Sequence, residues 1–250
     1  MMYNLLIADD NLEYVKQLAN HLLHRVNFVK LVKITTDGEE TYNCLKTEHI
    51  DLLLLDLKMP KYSGIEVLKK IYNEKISNYT KVIVISGELP MLNYSQFSKY
   101  NVVKCIYKNS GLNNVTNSIL EVLSEIAKEK EKKHWNECII NELNKLNYNF
   151  KHNGTKYLKE SNIYILDRDD ESLSDNLEKN VYIHIAKLHN KTVGNIKNNI
   201  VKATNNMYAE CNMKYLLDYF DFKFDVKPTP KIVISTIINK VENGVIKNIH

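Results

Sequence analysis

Five short runs rich in valine, isoleucine and leucine recur through the first half of the chain. They lie at residues 3–8, 31–35, 50–55, 82–85 and 102–107. Each run is short and almost continuously apolar, which favours strands buried on both faces over strands with one wet face. The pattern therefore predicts five strands of a parallel sheet.

Between these runs, apolar residues recur at a spacing of three and four. The clearest example predicts the first helix and comprises Leu12, Val15, Leu18, Ala19, Leu22, Leu23 and Val26. A fifth helix, beginning near Asn113, has its apolar stripe at Val115, Ile119, Val122, Leu123 and Ile126. Strands that alternate with helices in this way predict a doubly wound α/β sheet with helices on both faces.

A charged run, Lys-Glu-Lys-Glu-Lys-Lys at residues 128–133, follows the fifth helix. It contains no apolar anchor, so it is either a solvated linker or an exposed continuation of that helix. The strand pattern ends after it. We therefore expect an α/β domain at residues 1–127, a linker at 128–134 and an all-α domain at 135–250.

Helical spacing returns in the second half, where the pattern predicts four helices. Their apolar positions are Trp135, Ile139, Leu143 and Leu146; Tyr182, Ile185, Ala186 and Leu188; Ile196, Ile200, Ala203 and Met207; and residues 232–241. Phe222, Phe224 and Val226 alternate with charged residues, which predicts a short extended piece.

A short polar turn separates the second and third of these helices, as in a helix-turn-helix. Thr192 is a suitable cap for the helix after the turn, because its hydroxyl can accept from free amides of the first helical turn. The outward face of that helix carries Gly194, Asn198, Val201, Lys202 and Asn205. In a DNA-binding protein this face enters the major groove.

Composition narrows the class of protein. The 250 residues suffice for two domains with their own cores, and 44% hydrophobic with 26% charged residues indicates a globular protein. With no apolar run of membrane-spanning length and no signal-peptide pattern, we expect a cytoplasmic protein without a membrane partner. Basic and acidic residues balance at 14 each over residues 1–125, so the net charge of +4 arises later and is compatible with nucleic acid.

The four cysteines, Cys44, Cys105, Cys138 and Cys211, have no paired spacing. That spread argues against a zinc site or a disulfide framework, so we expect reduced thiols that serve packing.

Reactive polar residues close the apolar runs. Asp9 and Asp10 follow the first run, Asp56 the third, Ser86 the fourth and Lys108 the fifth. The carboxyl ends of strands in an open parallel sheet line one crevice. There, three carboxylates favour a hard cation such as Mg²⁺, and Asp56 could act as a nucleophile. Taken singly, each residue also has a simpler interpretation as a turn former, helix cap or solvated charge.

This set of positions resembles the response-regulator receiver domains. The resemblance rests on Asp9-Asp10, residues 56–64, Ser86-Gly87 and Lys108. It implies a flavodoxin-like fold and phosphorylation of Asp56 by a histidine kinase or a phosphotransfer protein. It also implies that Asp9, Asp10 and Asp56 hold Mg²⁺, and that Ser86 and Lys108 bind the phosphoryl oxygens.

Two residues depart from the receiver pattern. Cys105 stands where the family has an aromatic side chain that moves inward with the switch hydroxyl, and Asn109 replaces the proline that follows the lysine. We therefore expect transmission through another surface, or a weaker response. Lys58 and Glu88 flank the phosphoryl position in the family; they either pair and hinder the attacking water or remain independent solvated charges.

The second half resembles the output domain of the sporulation master (stage-zero) response regulators. The resemblance rests on Gly154, residues 157–160, Tyr182, residues 185–187, Asn190, Thr192, Ile200 and residues 227–229. Where that family carries arginines and a glutamate on its recognition helix, this chain has Asn195, Lys197, Asn198, Val201 and Lys202. Arginine pairs with guanine and asparagine with adenine, so we expect a different operator. Asn195 and Asn198 would read adenine, with Lys197 and Lys202 on phosphates.

Together the two resemblances predict a phosphorylation-controlled transcription factor that binds duplex DNA, as a homodimer when phosphorylated. The alternative is a phospho-switched protein-interaction module that does not bind DNA. We do not expect an enzyme. An aspartyl-phosphate phosphohydrolase has a second aspartate two residues after its nucleophile at the end of the first strand, and Asp9-Asp10-Asn11-Leu12 lacks that spacing.

Overall fold

The computed structural model describes residues 2–76, 78–88, 97, 99–222 and 226–247. The chain divides into two compact units, residues 1–128 and 129–250. Within the described ranges, no helix combines the length and the apolar character that crossing a membrane requires.

A five-stranded parallel sheet forms the centre of the first unit. Its strands are Tyr3–Ala8 (β1), Val29–Thr35 (β2), Leu52–Asp56 (β3), Lys81–Ser86 (β4) and Val102–Tyr107 (β5). They lie in the order β2-β1-β3-β4-β5, and every neighbouring pair is parallel. The predicted sheet is confirmed. Strands β3 and β4 extend one residue further than predicted, so Asp56 and Ser86 are the last residues of their strands.

Helices cover both faces of this sheet. They are Leu12–Leu23 (α1), Gly38–Thr47 (α2), Gly64–Asn73 (α3) and the first part of Leu112–Lys145 (α4). One apolar cluster joins the sheet to α1 and α4, and a second joins it to α2 and α3. Successive leucines of β3 alternate between these clusters, which explains why the strand is continuously apolar. The stretch between β4 and β5 lies largely outside the described residues.

The loop between β3 and α3 is folded tightly against the end of its strand. Ser63 and Glu66 form a reciprocal capping box that begins α3 at Gly64. The Gly64 amide donates to the carbonyl of Leu57 at 3.1 Å. A β-carbon at Gly64 would lie 2.2 Å from the backbone oxygen of Asp56, so only glycine fits there. This contact fixes the backbone that carries the Asp56 carboxylate.

Helix α4 is 34 residues long and includes the charged run. The residues predicted as a linker or a helix continuation, 128–134, are therefore helical. Ile126 is buried in the first core and Ile139 in the second, but no residue between them is buried. Ala127 packs partly on the first core and Trp135 and Cys138 partly on the second, so the charged run lies between the segments of α4 that contact a core.

The second unit is all-helical in its described residues. After α4 come Asn153–Leu166 (α5), Ile183–His189 (α6), Val193–Glu210 (α7), Met213–Phe220 (α8) and Pro230–Lys247 (α9). A 3₁₀ helix at Glu171–Asn176 and a π-helical turn at Glu178–Tyr182 precede α6. The predicted core positions of α7 are all buried, namely Ile196, Ile200, Ala203 and Met207.

Leu188 was predicted on the apolar stripe of α6, and this is wrong. Its side chain is 65% exposed, whereas Ile185 and Ala186 are buried. Because the buried face of α6 is centred between Ile185 and Ala186, a turn of about 100° per residue places Leu188 about 110° from that centre. The predicted extended piece at Phe222, Phe224 and Val226 lies partly outside the described residues.

The hydrophobic pattern did not predict α5 or α8. The buried face of α5 includes Gly154, Ser161 and Asn162, which carry no apolar signal. The Ser161 hydroxyl donates to the carbonyl of Tyr157 at 2.7 Å, and the Asn162 amide donates to that of Leu158 at 2.8 Å. These polar side chains are buried because the carbonyls one turn earlier accept their hydrogen bonds.

Gly154 and Gly194 make a matched test of helix packing, since each is the second residue of its helix. A β-carbon at Gly154 would lie 2.0 Å from the backbone oxygen of Asn199 on α7, whereas one at Gly194 would meet nothing within 4 Å. We expect Gly154→Ala to lower the free energy of unfolding by about 1–3 kcal/mol, because α5 and α7 must separate. Gly194→Ala should be neutral or stabilising. Denaturant unfolding measures both, and equal effects would contradict this packing.

Candidate functional site

Four neighbouring strands end at one edge of the sheet, and each brings a polar side chain. Asp9 and Asp10 follow β1, Asp56 ends β3, Ser86 ends β4 and Lys108 follows β5. Because all four strands are parallel and adjacent, their carboxyl ends meet. The structure thus brings together residues that are up to 99 positions apart in the sequence.

Lys108 joins two of the carboxylates. Its Nζ lies 2.7 Å from Oδ2 of Asp9 and 2.8 Å from Oδ2 of Asp56. The three side chains are 15%, 4% and 6% exposed in that order. Burial alone would lower the pKa of Lys108, but the hydrogen bonds to Asp56 and Asp9 outweigh it and raise that pKa. The ammonium therefore stays charged and compensates carboxylates that have little water around them.

Burial acts on the pKa of Asp9 in the opposite direction to its effect on Lys108. Desolvation raises its pKa, against the lowering effects of Lys108 and of the Asn11 amide, which donates to Oδ1 at 3.0 Å. Asn11 itself caps α1, since its side chain accepts from the Tyr14 amide at 3.0 Å. The cap that begins α1 is therefore Asn11 and not Asp10.

The carboxylate of Asp10 completes an acidic cluster. One oxygen from each of Asp9, Asp10 and Asp56 lies within 4.8 Å of the other two. Asp10 is exposed, whereas Asp9 and Asp56 are buried. Three carboxylates against one ammonium leave an excess of negative charge, so this cluster could hold a metal ion. An all-oxygen donor set with one open side suits a hard divalent cation that retains water ligands.

Ser86 is buried at the end of β4, beside β3. Its hydroxyl oxygen accepts from the Glu88 amide at 3.1 Å. The hydroxyl is thus engaged by the turn that follows its own strand.

Lys58 and Glu88 form an ion pair between the β3–α3 loop and the β4 turn. The side chain of Lys58 is 60% exposed and that of Glu88 is 50% exposed. From sequence, the two residues could pair or remain independent solvated charges; in the structure they pair.

Tyr14 belongs to the site, although it is not part of the motif that identified the other residues. Lys108 Nζ lies 5.4 Å from the centroid of the Tyr14 ring, within the range of a cation–π contact. Burial, with smaller contributions from Asp9 and Asp56, raises the pKa of Tyr14 to about 12. The available signal was its position one helical turn after Asp10, which points its ring back toward the strand end.

The second unit presents a separate polar surface on α7. The turn before it reverses at Asn190, which has φ 50°, and Thr192 caps α7 by accepting from the Asn195 amide at 3.2 Å. With the core residues facing inward, helical geometry places Asn198 at the centre of the outward face and Lys202 beside it. Asn195 and Lys197 flank this face on opposite sides. All four side chains are exposed.

Each of the two units matches a known protein family. The response regulator receiver domain family matches residues 5–120, and the family described as the sporulation initiation factor Spo0A C terminal matches residues 139–241. The chain is a response regulator.

Curated relatives of this response regulator match about half of it. An uncharacterized transcriptional regulatory protein, YesN of Bacillus subtilis (strain 168), is 24% identical over 128 residues, which are 51% of this chain and 34% of that protein. Stress response regulator protein 1 of Candida tropicalis is 26% identical over 123 residues, covering 48% of this chain and 46% of that protein. The chain thus spans less than half the length of these relatives.

Solved receiver domains resemble about half of this response regulator. A CheY-like receiver protein from Methanospirillum hungatei JF-1 has 23% identity and a TM-score of 0.45, covering 52% of this chain and 99% of that one. TrrA from Thermotoga maritima, solved in complex with Mg²⁺ and BeF, has 22% identity and a TM-score of 0.41, covering 48% of this chain and 98% of that one.

This response regulator lacks an aromatic ring at Cys105, which packs half-buried against the core on the α2 and α3 face. Tyr107 is the aromatic residue of β5 that pairs in register with Ser86. The Asn109 amide donates to the Tyr107 hydroxyl at 3.0 Å. The end of β5 is therefore arranged around Tyr107 and Asn109. The aromatic residue stands two positions later than in the receiver family, and an asparagine occupies the position of the family's proline.

Proposed function

We propose that this chain is a phosphorylation-controlled transcription regulator in which Asp56 accepts a phosphoryl group and α7 binds duplex DNA. The donor would be a histidine kinase or a phosphotransfer protein. The observation that carries the proposal is the Lys108 ammonium between Asp9 and Asp56, at 2.7 and 2.8 Å, beside the third carboxylate of Asp10. The Spo0A-type family match of the second unit supports the DNA-binding part.

In the proposed reaction, an Asp56 oxygen attacks the phosphorus of a phosphohistidine. The new O–P bond forms as the P–N bond breaks, and the imidazole leaves with the bonding electrons and takes up a proton. Asp9, Asp10 and Asp56 would hold Mg²⁺, which when bound supplies positive charge against the phosphoryl oxygens. Lys108 would shift its hydrogen bond from the Asp56 carboxylate to a phosphoryl oxygen, because that oxygen then carries the charge.

Ser86 is the proposed switch residue. Its hydroxyl donates to the Glu88 carbonyl at 3.4 Å and must give up that hydrogen bond in order to donate to a phosphoryl oxygen, so the turn after β4 would rearrange. Phosphate would stabilise one of two arrangements that the protein already samples. We propose that the favoured arrangement exposes a dimer surface, which would pair two copies of α7 on a two-fold operator.

On DNA, α7 would lie in the major groove. Asn198 and Asn195 would read adenine, since an asparagine amide can both donate to N7 and accept from N6. Lys197 and Lys202 would contact phosphates and fix the register without reading sequence. The capped start and buried inward face of α7 support this placement, because they hold the outward face rigidly.

The phosphoacceptor is tested with acetyl phosphate as donor. We expect the wild-type chain to gain the mass of one phosphoryl group in the presence of Mg²⁺ and not after chelation. Asp56→Asn should gain none, because an amide lacks the nucleophilic carboxylate. Asp218→Asn, at an exposed position of α8, is the control and should be modified like wild type. Phosphoryl uptake by Asp56→Asn would overturn the assignment.

The Lys58–Glu88 pair is expected to protect the aspartyl phosphate from water. Lys58→Ala should shorten the life of the phosphoryl group by up to about five-fold, because an exposed ion pair contributes at most about 1 kcal/mol. Lys61→Ala is the matched control, since Lys61 is similarly exposed and pairs with Asp37 and Glu39. The measurement is the loss of phosphorylated protein with time, and an unchanged Lys58→Ala rate would remove this role.

The proposed DNA contacts of α7 are of two kinds, base contacts and phosphate contacts. Selection of bound duplexes from a mixture of sequences distinguishes them. Asn198→Ala should relax the preferred sequence, with a loss of about 1–3 kcal/mol of discrimination at one base pair. Lys202→Ala should weaken binding to all sequences and leave the preference unchanged. Salt-dependent retention of the wild-type chain on duplex DNA must accompany both results. Its absence would favour the protein-interaction module instead.

A further inference from the structure

A carboxylate contacts one of the lysines proposed to bind DNA. Lys197 Nζ lies 2.6 Å from Oε1 of Glu178, and the two side chains are 46% and 50% exposed. Glu178 is not on α7. It begins the π-helical turn Glu178–Tyr182 that leads into α6, so the pair joins two elements of the helix-turn-helix region.

The π-helical turn holds Glu178 in this position. Val181 and Tyr182 in the same turn are buried in the core of the second unit, while Glu178 remains at the surface. A π-helical turn adds a residue relative to an α-helix, is rare, and occurs frequently at functional sites. Here it presents a carboxylate to the flank of α7.

We propose that Glu178 competes with DNA phosphate for Lys197 and so restrains sequence-independent binding to duplex DNA. This inference rests on the proposed DNA-binding function. A lysine that already neutralises a carboxylate releases less counterion when it meets a phosphate. The Glu178 charge would also lie well within one Debye length, about 10 Å at 0.1 M salt, of any phosphate that Lys197 contacts, and would repel it.

The expected effect is an attenuation of binding and not a block. Exposed ion pairs are weak, so a phosphate can displace Glu178 from Lys197. Removing the carboxylate should therefore tighten binding by about two- to five-fold, the range that such pairs support. Base recognition by Asn198 should be unaffected, because Glu178 contacts only the flank of the helix.

The test uses the full chain and a labelled duplex of mixed sequence, titrated between about 50 and 200 mM salt. We expect Glu178→Gln, which keeps the shape of the side chain, to bind more tightly at low salt. Its plot of log affinity against log salt should be steeper by up to about one, because Lys197 is then free to meet a phosphate in every bound complex and not only in those where phosphate has displaced Glu178.

Asp167→Asn is the matched control. Asp167 pairs with Lys132 at 3.0 Å, with exposures of 46% and 52%, and this pair involves neither α6 nor α7. The change adds the same unit of positive charge to the same domain. It should leave the salt slope unaltered. In addition, a Lys197→Gln background should reduce the gain that Glu178→Gln produces, because competition for Lys197 is then absent.

Three results would overturn the inference. These are an unchanged salt slope in Glu178→Gln, an equal gain in Asp167→Asn, and a gain that persists at full size in the Lys197→Gln background. In each case wild-type binding still supports the DNA-binding function. A wild-type chain without salt-dependent binding would instead overturn the proposed function itself.

Discussion

The polar edge of the sheet in the first unit depends on one buried charge arrangement, the Lys108 ammonium between Asp9 and Asp56. Two carboxylates with this little exposure would repel each other strongly without a cation between them. The strand order makes the contact possible but demanding. Strand β5 is two places from β3, a distance of about 10 Å, so Lys108 must extend across the end of β4. Ser86 ends β4 with a small side chain, and Gly64 allows the loop after Asp56 to fold close to its strand.

The proposed phosphorylation of Asp56 would act on the same arrangement. Lys108, Ser86 and Glu88 are each engaged with partners that phosphate would take over or disturb, so the unmodified site is already a defined state. Cys105 has no aromatic ring that could move inward together with the Ser86 hydroxyl. The ring of Tyr14 on Lys108, and the pairing of Tyr107 with Ser86, show that other aromatic residues surround the site. Any movement of this site therefore has to be transmitted by different side chains.

The second unit separates its structural and chemical tasks across a single helix. The inward face of α7 packs on the core and approaches α5 so closely that Gly154 cannot carry a side chain. The outward face contributes little to packing, so its asparagines and lysines can vary without loss of the fold. Glu178, in a π-helical turn outside α7, places a negative charge beside Lys197 at the edge of this surface.

The hydrophobic pattern alone determined the five strands, their parallel α/β arrangement and the core face of α7, because burial on two faces or on one leaves a periodic record in the residues. Motif spacing likewise selected Asp9, Asp10, Asp56, Ser86 and Lys108. The pattern could not find α5, whose buried Ser161 and Asn162 side chains donate to carbonyls of the helix backbone, nor the exposure of Leu188. Only the tertiary structure decided that Tyr14 lies on Lys108 and that Glu178 pairs with Lys197. Contacts between side chains of different elements depend on distance and direction in space, and a sequence carries no record of either.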